Sequence, residues 1–279
     1  MKATEFIKKV KNKEIDIVEH THKVLEECKK LNKEYNYLNI ISDKLAINQA
    51  EAIKKNPKGK LAGLPISVKD SICVKDVEST AGSKILKGYI PFFNATGVQK
   101  AIDEGAIVIG KTSQDEFGFG GFATNVGLGF KIPLNPFDKE RSTGGSSGGA
   151  AGLSQKLSSP HIAIGESTGG SIVNPASFCG VFGLCPTYGR ISRYGLIDYG
   201  NSLDKIGPIS KYIEDCALFL ENISGYDNKD STSLNVPIDN YSSYLKKDVK
   251  NMKVAIVREA FGEGVNKVVE SKIWDSIKK

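Results

Sequence analysis

The chain has 279 residues, 40% of them hydrophobic and 25% charged, with 29 glycines and a formal net charge of +6. That length can bury a sizeable core, and no apolar run approaches the ~20 residues that span a bilayer, which excludes membrane, collagen-like and disordered classes. The positive charge comes from lysines scattered along the chain, against only four arginines, and without a basic stripe carrying interleaved aromatics it favours solubility rather than a nucleic-acid surface.

The N-terminal stretch has basic residues but no following apolar segment or small-residue cleavage pattern, so no secretory signal is read and the expected compartment is cytoplasmic. Cys28, Cys73, Cys179, Cys185 and Cys216 are odd in number, irregularly spaced and free of any CxxC, which points to reduced, mostly buried thiols. Residues 1–55 show helical periodicity at Phe6, Ile7 and Val10, then at Val24, Leu25, Cys28 and Leu31 after an Asp16 cap, then from Ala46 to Ile53. They are expected to form a helical arm ahead of a main domain over 56–279.

At Leu64-Pro-Ile-Ser-Val-Lys-Asp the period changes to two, which predicts a strand ending near Lys69-Asp70. A helix around Val98 to Glu104 closes at Gly105 and runs into the apolar strand Ala106–Ile109, the helix-to-strand half of a crossover that favours parallel pairs. Ser113 to Glu116 has capping-box spacing and predicts a short helix. Phe117 to Gly149, rich in Gly, Ser, Thr and Asn, reads as a long functional loop. A strand His161–Ile164, a helix Ile213–Ile223 stopping at Gly225, and a polar linker over Asp227–Tyr241 follow. Val254–Val257 predicts one more strand, and Val265, Val268, Val269, Ile273 and Ile277 an amphipathic helix.

Arg141-Ser-Thr-Gly-Gly-Ser-Ser-Gly-Gly149 is the densest unusual segment. It is no Walker loop, since Ala150-Ala151 stands where GK[ST] is needed. Gly144 to Gly148 formally matches the GxSxG nucleophile elbow, but the only later histidine, His161, sits on an apolar strand where a core role is expected. A purely structural glycine loop remains an alternative. In Gly165-Glu-Ser-Thr168-Gly-Gly-Ser171, successive amides can point at one spot, as in an oxyanion hole, and Ser171 stands where a nucleophile would. Without a histidine or cysteine partner, its activator would be a lysine held neutral by burial, and Lys69, at the end of an apolar strand, is the best candidate.

From about Ala62 to Pro208 this ordered set of motifs resembles the amidase signature family. The resemblance implies an α/β amidase signature fold, a large mixed β-sheet covered by α-helices, and a Ser–cis-Ser–Lys triad. Lys69 falls on the family's strand-end lysine, Ser146 on its bridging cis-serine and Ser171 on its acylated serine, with Thr168, Gly169 and Gly170 at the oxyanion site. Members are usually much longer, so the fold is expected to be incomplete at the C-terminus. Pro186 to Leu196, Ser202 to Pro208, Asp115-Glu-Phe-Gly, Asn135-Pro-Phe-Asp and Pro175 to Gly180 are similar to the A-subunit branch of tRNA-dependent amidotransferases. Glu166-Ser167 in place of Ser-Asp, and a serine-motif interval one residue longer, resemble its archaeal members. Val173 stands for a common Arg and Cys185 for a common Lys. The resemblance implies glutamine as substrate, with ammonia passed to a partner that amidates Glu-tRNA(Gln). The partners would be the amidotransferase's B subunit and its C subunit, with no cofactor in this chain and ATP and Mg²⁺ in the partner's reaction. A stand-alone amidase of the same superfamily and a non-catalytic fragment are the alternatives.

Overall fold

The computed structural model of the chain describes residues 1–250 and 252–279, which form two units, Met1–Leu245 and Lys246–Lys279. The first begins with α1 (Ala3–Lys11) and α2 (Ile17–Tyr35), whose Phe6, Ile7, Val10, Val24, Leu25 and Cys28 enter the main core as their spacing predicts. Asp16 caps α2 by accepting from the amides of Val18 and Glu19, satisfying donors that have no partner inside the helix. Between α2 and α3 (Asp43–Lys55) a strand, β1 (Leu38–Ile41), interrupts the expected run of helices. Asn36 ends α2 in the left-handed region (φ 62°), a conformation asparagine tolerates, and so turns the chain toward the sheet.

The remaining strands are β2 (Pro65–Lys69), β3 (Ile107–Thr112), β4 (Ile162–Ser167), β5 (Phe182–Gly183) and β6 (Lys205–Ser210). Their order is β1-β3-β2-β4-β6-β5. β3, β2 and β4 run parallel, while β1 and β6 flank them antiparallel and β5 pairs antiparallel with β6. The helix α4 (Thr96–Asp103) connects β2 to β3, as a parallel pair requires. The sheet is therefore mixed and covered by helices, the α/β class expected. Every residue of β2 is buried, because an interior parallel strand has both faces covered.

β4 divides its side chains between two apolar clusters. Ile162 and Ile164 join the main core, while Ala163 packs with Ala150 and Ala151 of α5 (Gly148–Lys156), Cys179 of α6 (Val173–Cys179) and Ile209 of β6. Gly152 lets α5 approach closely: a Cβ there would lie 2.2 Å from the Tyr37 ring. Further on, α7 (Ile213–Ile223) buries Cys216, Phe219, Leu220 and Ile223, and α8 (Tyr241–Tyr244) is a single turn.

Three local expectations change. Ser113 caps no helix: a 3-10 turn covers Glu116–Gly118, and the Ser113 hydroxyl reaches the Lys131 carbonyl while Glu116 accepts from Ser83, so no reciprocal box forms. The polar segment after Asp227 is tied down. Asp227 accepts from Ser192 (2.6 Å) and Thr96 (2.5 Å), and Asp230 from the Arg193 amide, so its polarity serves buried hydrogen bonds. In the second unit α9 (Lys267–Ile277) forms behind an Asn266 cap, but Val254–Val257 is unpaired and no strand is assigned there. Among the described residues no ladder partner meets it, and a strand exists only by pairing. No described helix is long and apolar enough to cross a membrane.

Candidate active site

Because β2 and β4 are parallel neighbours with Val68 opposite Ile164, their C-terminal ends open at the same edge of the sheet, where parallel α/β sheets place ligands. Lys69 ends β2, and the turn from Glu166 to Ser171 leaves β4. Side chains alternate along a strand, so Lys69 lies on the face shared with Ala163, the face that α5 covers. The loop entering α5 carries Ser146, and Lys69 Nζ lies 2.7 Å from Ser146 Oγ with both side chains buried.

The Gly145–Ser146 peptide is cis. Gly145 is required by close approach, since a Cβ would fall 2.3 Å from Asp115 Oδ2 and 2.4 Å from the Ala123 amide nitrogen. Asp115 organises this loop: its buried carboxylate accepts from the amides of Ala123 (3.0 Å) and Asn125 (2.8 Å), and its own amide donates to the Ser146 carbonyl. The sequence marked Asp115 only as part of a motif. Its position just beyond an apolar strand and before a glycine-rich loop was the available signal for a loop-tying carboxylate.

The second serine loop joins the first through one backbone bond, from the Ser147 amide to the Ser171 carbonyl (3.2 Å). Ser171 is nearly buried, at 8% exposure. Among the described residues the amides of Thr168, Gly169, Gly170 and Ser171 donate to no acceptor. A Cβ at Gly169 would meet nothing within 4 Å, and one at Gly170 only the Asn174 Cβ at 3.9 Å. Free amides beside open space are what an oxyanion needs. The Thr168 hydroxyl lies 2.6 Å from Asp204 Oδ1 and 3.1 Å from Glu166 Oε1, and Asp204 also accepts from the amides of Tyr199 and Gly200. At the rim Phe119 and Tyr199 meet edge to face at 4.2 Å between ring centroids.

Glu166 is the residue that sequence reasoning undervalued. It appeared there only as a departure from a pattern, yet its Oε2 lies 2.8 Å from Lys69 Nζ, and its carbonyl accepts from both Lys69 and Ser147 Oγ (3.1 Å each). The signal was an acid at the end of a buried strand, next to the strand that ends in a lysine. Asp70, in contrast, turns away from Lys69. Its carboxylate takes the Thr80 hydroxyl, the Thr80 and Gly82 amides and Asn39, and faces the buried Lys111 at 3.5 Å. Burial pushes the Lys111 ammonium down, with Asp70 opposing.

The one histidine that follows the serine loop and the deeply buried cysteines do not compete for the role of base. His161 is a core residue bonded to Ser67 (2.9 Å) and Ser154 (3.2 Å), and burial pushes it down to about 3. Burial likewise pushes the thiols of Cys28, Cys179 and Cys216 up to about 12.

The family model described as Amidase matches residues 19–279. The A subunit of glutamyl-tRNA(Gln) amidotransferase from Methanosarcina mazei is 46% identical over 272 residues, covering 97% of this chain and 56% of that protein. Its counterpart from Thermoanaerobacter pseudethanolicus is 42% identical over 273 residues, 96% of this chain and 55% of that protein. The chain thus spans about half the length of the curated relatives it matches. Among solved structures, the A subunit of glutamyl-tRNA(Gln) amidotransferase from Thermotoga maritima is 38% identical with a TM-score of 0.69, covering 78% of this chain and 46% of that one. Native peptide amidase from Stenotrophomonas maltophilia is 29% identical with a TM-score of 0.80, covering 88% and 53%. The mixed sheet, the two serine loops gathered at its C-terminal edge and these likenesses agree, and the chain belongs to the amidase signature family.

Proposed function

We propose that this chain carries the ammonia-generating centre found in the A subunit of a glutamyl-tRNA(Gln) amidotransferase and hydrolyses glutamine by a Ser–Ser–Lys relay. The observation that carries the reading is the 2.7 Å contact between Lys69 Nζ and Ser146 Oγ, buried beside the unpaired amides of Thr168 to Ser171. In the relay, the unprotonated form of Lys69 takes the proton of Ser146, Ser146 takes that of Ser171, and Ser171 Oγ attacks the side-chain amide carbon of glutamine. The amides near Gly169 and Gly170 hold the oxyanion, a contribution of about 3 to 4 kcal/mol per donor in comparable sites. The proton returns to the departing nitrogen, ammonia leaves, and water releases glutamate from Ser171.

Ammonia then passes to the B subunit, which with ATP and Mg²⁺ amidates Glu-tRNA(Gln), and the C subunit accompanies the pair. This assignment draws on the 42–46% identity to A-subunit relatives. The test is labelling of the complete assembly with a γ-electrophilic glutamine analogue, followed by peptide mass spectrometry. An adduct on Ser171, blocked by glutamine, is expected. An adduct on Ser146 or Ser147 would overturn the roles. Equal turnover of short peptide amides without any partner would instead favour a stand-alone amidase.

A further inference from the structure

The relay just described makes no use of Glu166, although Glu166 supplies two of the three polar neighbours of Lys69 Nζ. Those neighbours are Ser146 Oγ at 2.7 Å, the Glu166 carbonyl at 3.1 Å and Glu166 Oε2 at 2.8 Å. The carbonyl and an ionised carboxylate can only accept, whereas Ser146 also has a proton to give. A neutral amine has two N–H bonds and one lone pair. With both N–H bonds taken up by Glu166, the lone pair faces Ser146 Oγ.

We propose that Glu166 is a positioning residue, aiming the lone pair of Lys69 at Ser146 and holding the ammonium formed when Lys69 takes up the proton. The inference rests on the hydrolase reading of Ser171. During acylation the Ser171 proton moves to Ser146 Oγ and the Ser146 proton to Lys69 Nζ, while the Ser171 oxygen bonds to the acyl carbon. The new charge on Nζ lies against the Glu166 carboxylate and the opposite charge on the substrate oxygen. When the leaving group departs, the proton travels back along the same path, so Glu166 itself gains and loses no proton.

The other charged and titratable groups around the carboxylate are few. Thr168 joins Glu166 Oε1 to Asp204, Lys205 Nζ donates to the Thr168 carbonyl, and the half-buried Cys185 thiol lies close enough to sense Glu166. Lys69 is the only cation bonded directly to the Glu166 carboxylate among the described residues. The pair is buried, with side-chain exposures of 0% and 3%, so solvent does not screen it.

The test measures inactivation of the complete assembly by a fluorophosphonate that acylation-competent serines attack, with the rate constant at saturation separated from the half-saturating concentration. Glu166→Gln keeps the size and one accepting oxygen but removes the charge. It should slow the saturated rate at Ser171 at least tenfold, equivalent to about 1.4 kcal/mol, and leave the half-saturating concentration within twofold. A saturated rate within twofold of the parent's overturns the proposal. So does a change confined to the half-saturating concentration, which a merely structural role would produce. If Glu166→Gln loses cooperative melting, Glu166→Asp, with its charge drawn back by one methylene, is judged by the same criteria. Failure of the parent to be labelled at Ser171 defeats the hydrolase reading itself and this inference with it. Labelling of the parent with an unaffected variant defeats this inference alone.

Discussion

Replacing Lys69 by Met tests whether the lysine is held by burial alone or by a partner. Methionine keeps much of the apolar stem, and if Lys69 were simply a base desolvated among apolar groups, Lys69→Met would fold at least as well as the parent. The structure argues otherwise. Once Nζ is gone, the Glu166 carboxylate, 3% exposed, retains only the Thr168 hydroxyl, which Asp204 accepts from at shorter range. Removing one partner of a buried ion pair costs about 3 to 5 kcal/mol, because the remaining charge is uncompensated.

For a unit of this size each kcal/mol moves the melting temperature by roughly 2 to 4 °C, so Lys69→Met should melt on the order of 10 °C lower. Adding Glu166→Gln removes the stranded charge, and the double variant should recover more than half of the loss. Glu166→Gln alone leaves Nζ its three oxygen neighbours, and the buried amine can shed its proton rather than stay charged without a partner, so this variant should lose less stability than Lys69→Met. Urea unfolding of the four proteins closes a double-mutant cycle. If Lys69→Met is as stable as the parent, or the double variant is no more stable than Lys69→Met, the pairing of Lys69 with Glu166 does not hold and the argument built on it fails.

Gly152→Ala sets two known effects against each other. Helix propensity favours alanine by about 1 kcal/mol, but a Cβ 2.2 Å from the Tyr37 ring forces overpacking that costs about 1 to 3 kcal/mol, so a net loss of stability in urea is expected. Acid stability should show a cancellation. His161 is pushed down to about 3, so as pH falls below its unfolded value near 6.5 the unfolded chain alone takes up a proton and stability is lost. Burial pushes Asp215, which accepts from the Ala3 amide, up to about 6, so between about pH 6 and 4 the folded state holds a proton that the unfolded chain does not, and acidification stabilises. Each contributes about 1.4 kcal/mol per pH unit with opposite sign. Asp215→Asn should therefore make stability fall more steeply from pH 6 to 4.5 than in the parent, and parallel slopes would refute the assignment. Asp115→Ala should release the Ala123 and Asn125 amides and lower the saturated labelling rate at Ser171 more than it lowers the melting temperature, read by the same fluorophosphonate assay.

Much of the frame was legible because its signals are local. The alternation at Ile66 and Val68, the apolar run of β3 and the glycine-rich turns each report backbone geometry at their own position, and β2, β3, β4, α4 and α7 lie close to where those patterns fall. β1 was hidden because its four residues sit between two strongly periodic helices, and its strand state comes from pairing with β3, some 70 residues away. Val254–Val257 is the reverse case: a sound strand pattern that pairs with nothing among the described residues. The segment after Asp227 was misread for a related reason. A carboxylate that takes hydroxyls from Thr96 and Ser192 looks, in sequence, the same as one that faces water.

The candidate site divides along the same line. Ser146, Ser171 and Lys69 could be singled out because glycine clusters and a strand end mark them, but the partner that fixes Lys69 is 97 positions away. A lysine at the end of a buried strand leaves three outcomes open: it loses its proton, finds a carboxylate, or reaches solvent. Asp70, adjacent in sequence, was the obvious carboxylate, and strand alternation rules it out by sending it to the opposite side from Lys69, where Lys111 and Thr80 receive it. Parallel pairing of β2 with β4 then brings the next carboxylate, Glu166, to the same edge. The register sets Glu166 on the side of Ile164 and Val68, so alternation alone does not select it; Lys69 Nζ and Glu166 Oε2 meet where the two strands end, and the result is two buried Lys–carboxylate pairs of different character. In one, the Asp70 carboxylate is held by the Thr80 and Gly82 amides and the Thr80 hydroxyl, with Lys111 Nζ 3.5 Å from it; in the other, the Glu166 carboxylate binds Lys69 at 2.8 Å. Both amines meet a serine hydroxyl, Lys111 that of Ser79 at 2.6 Å and Lys69 that of Ser146 at 2.7 Å, but only the second stands at the loop whose amides are unpaired beside open space, so a base belongs at Lys69 rather than at the equally buried Lys111.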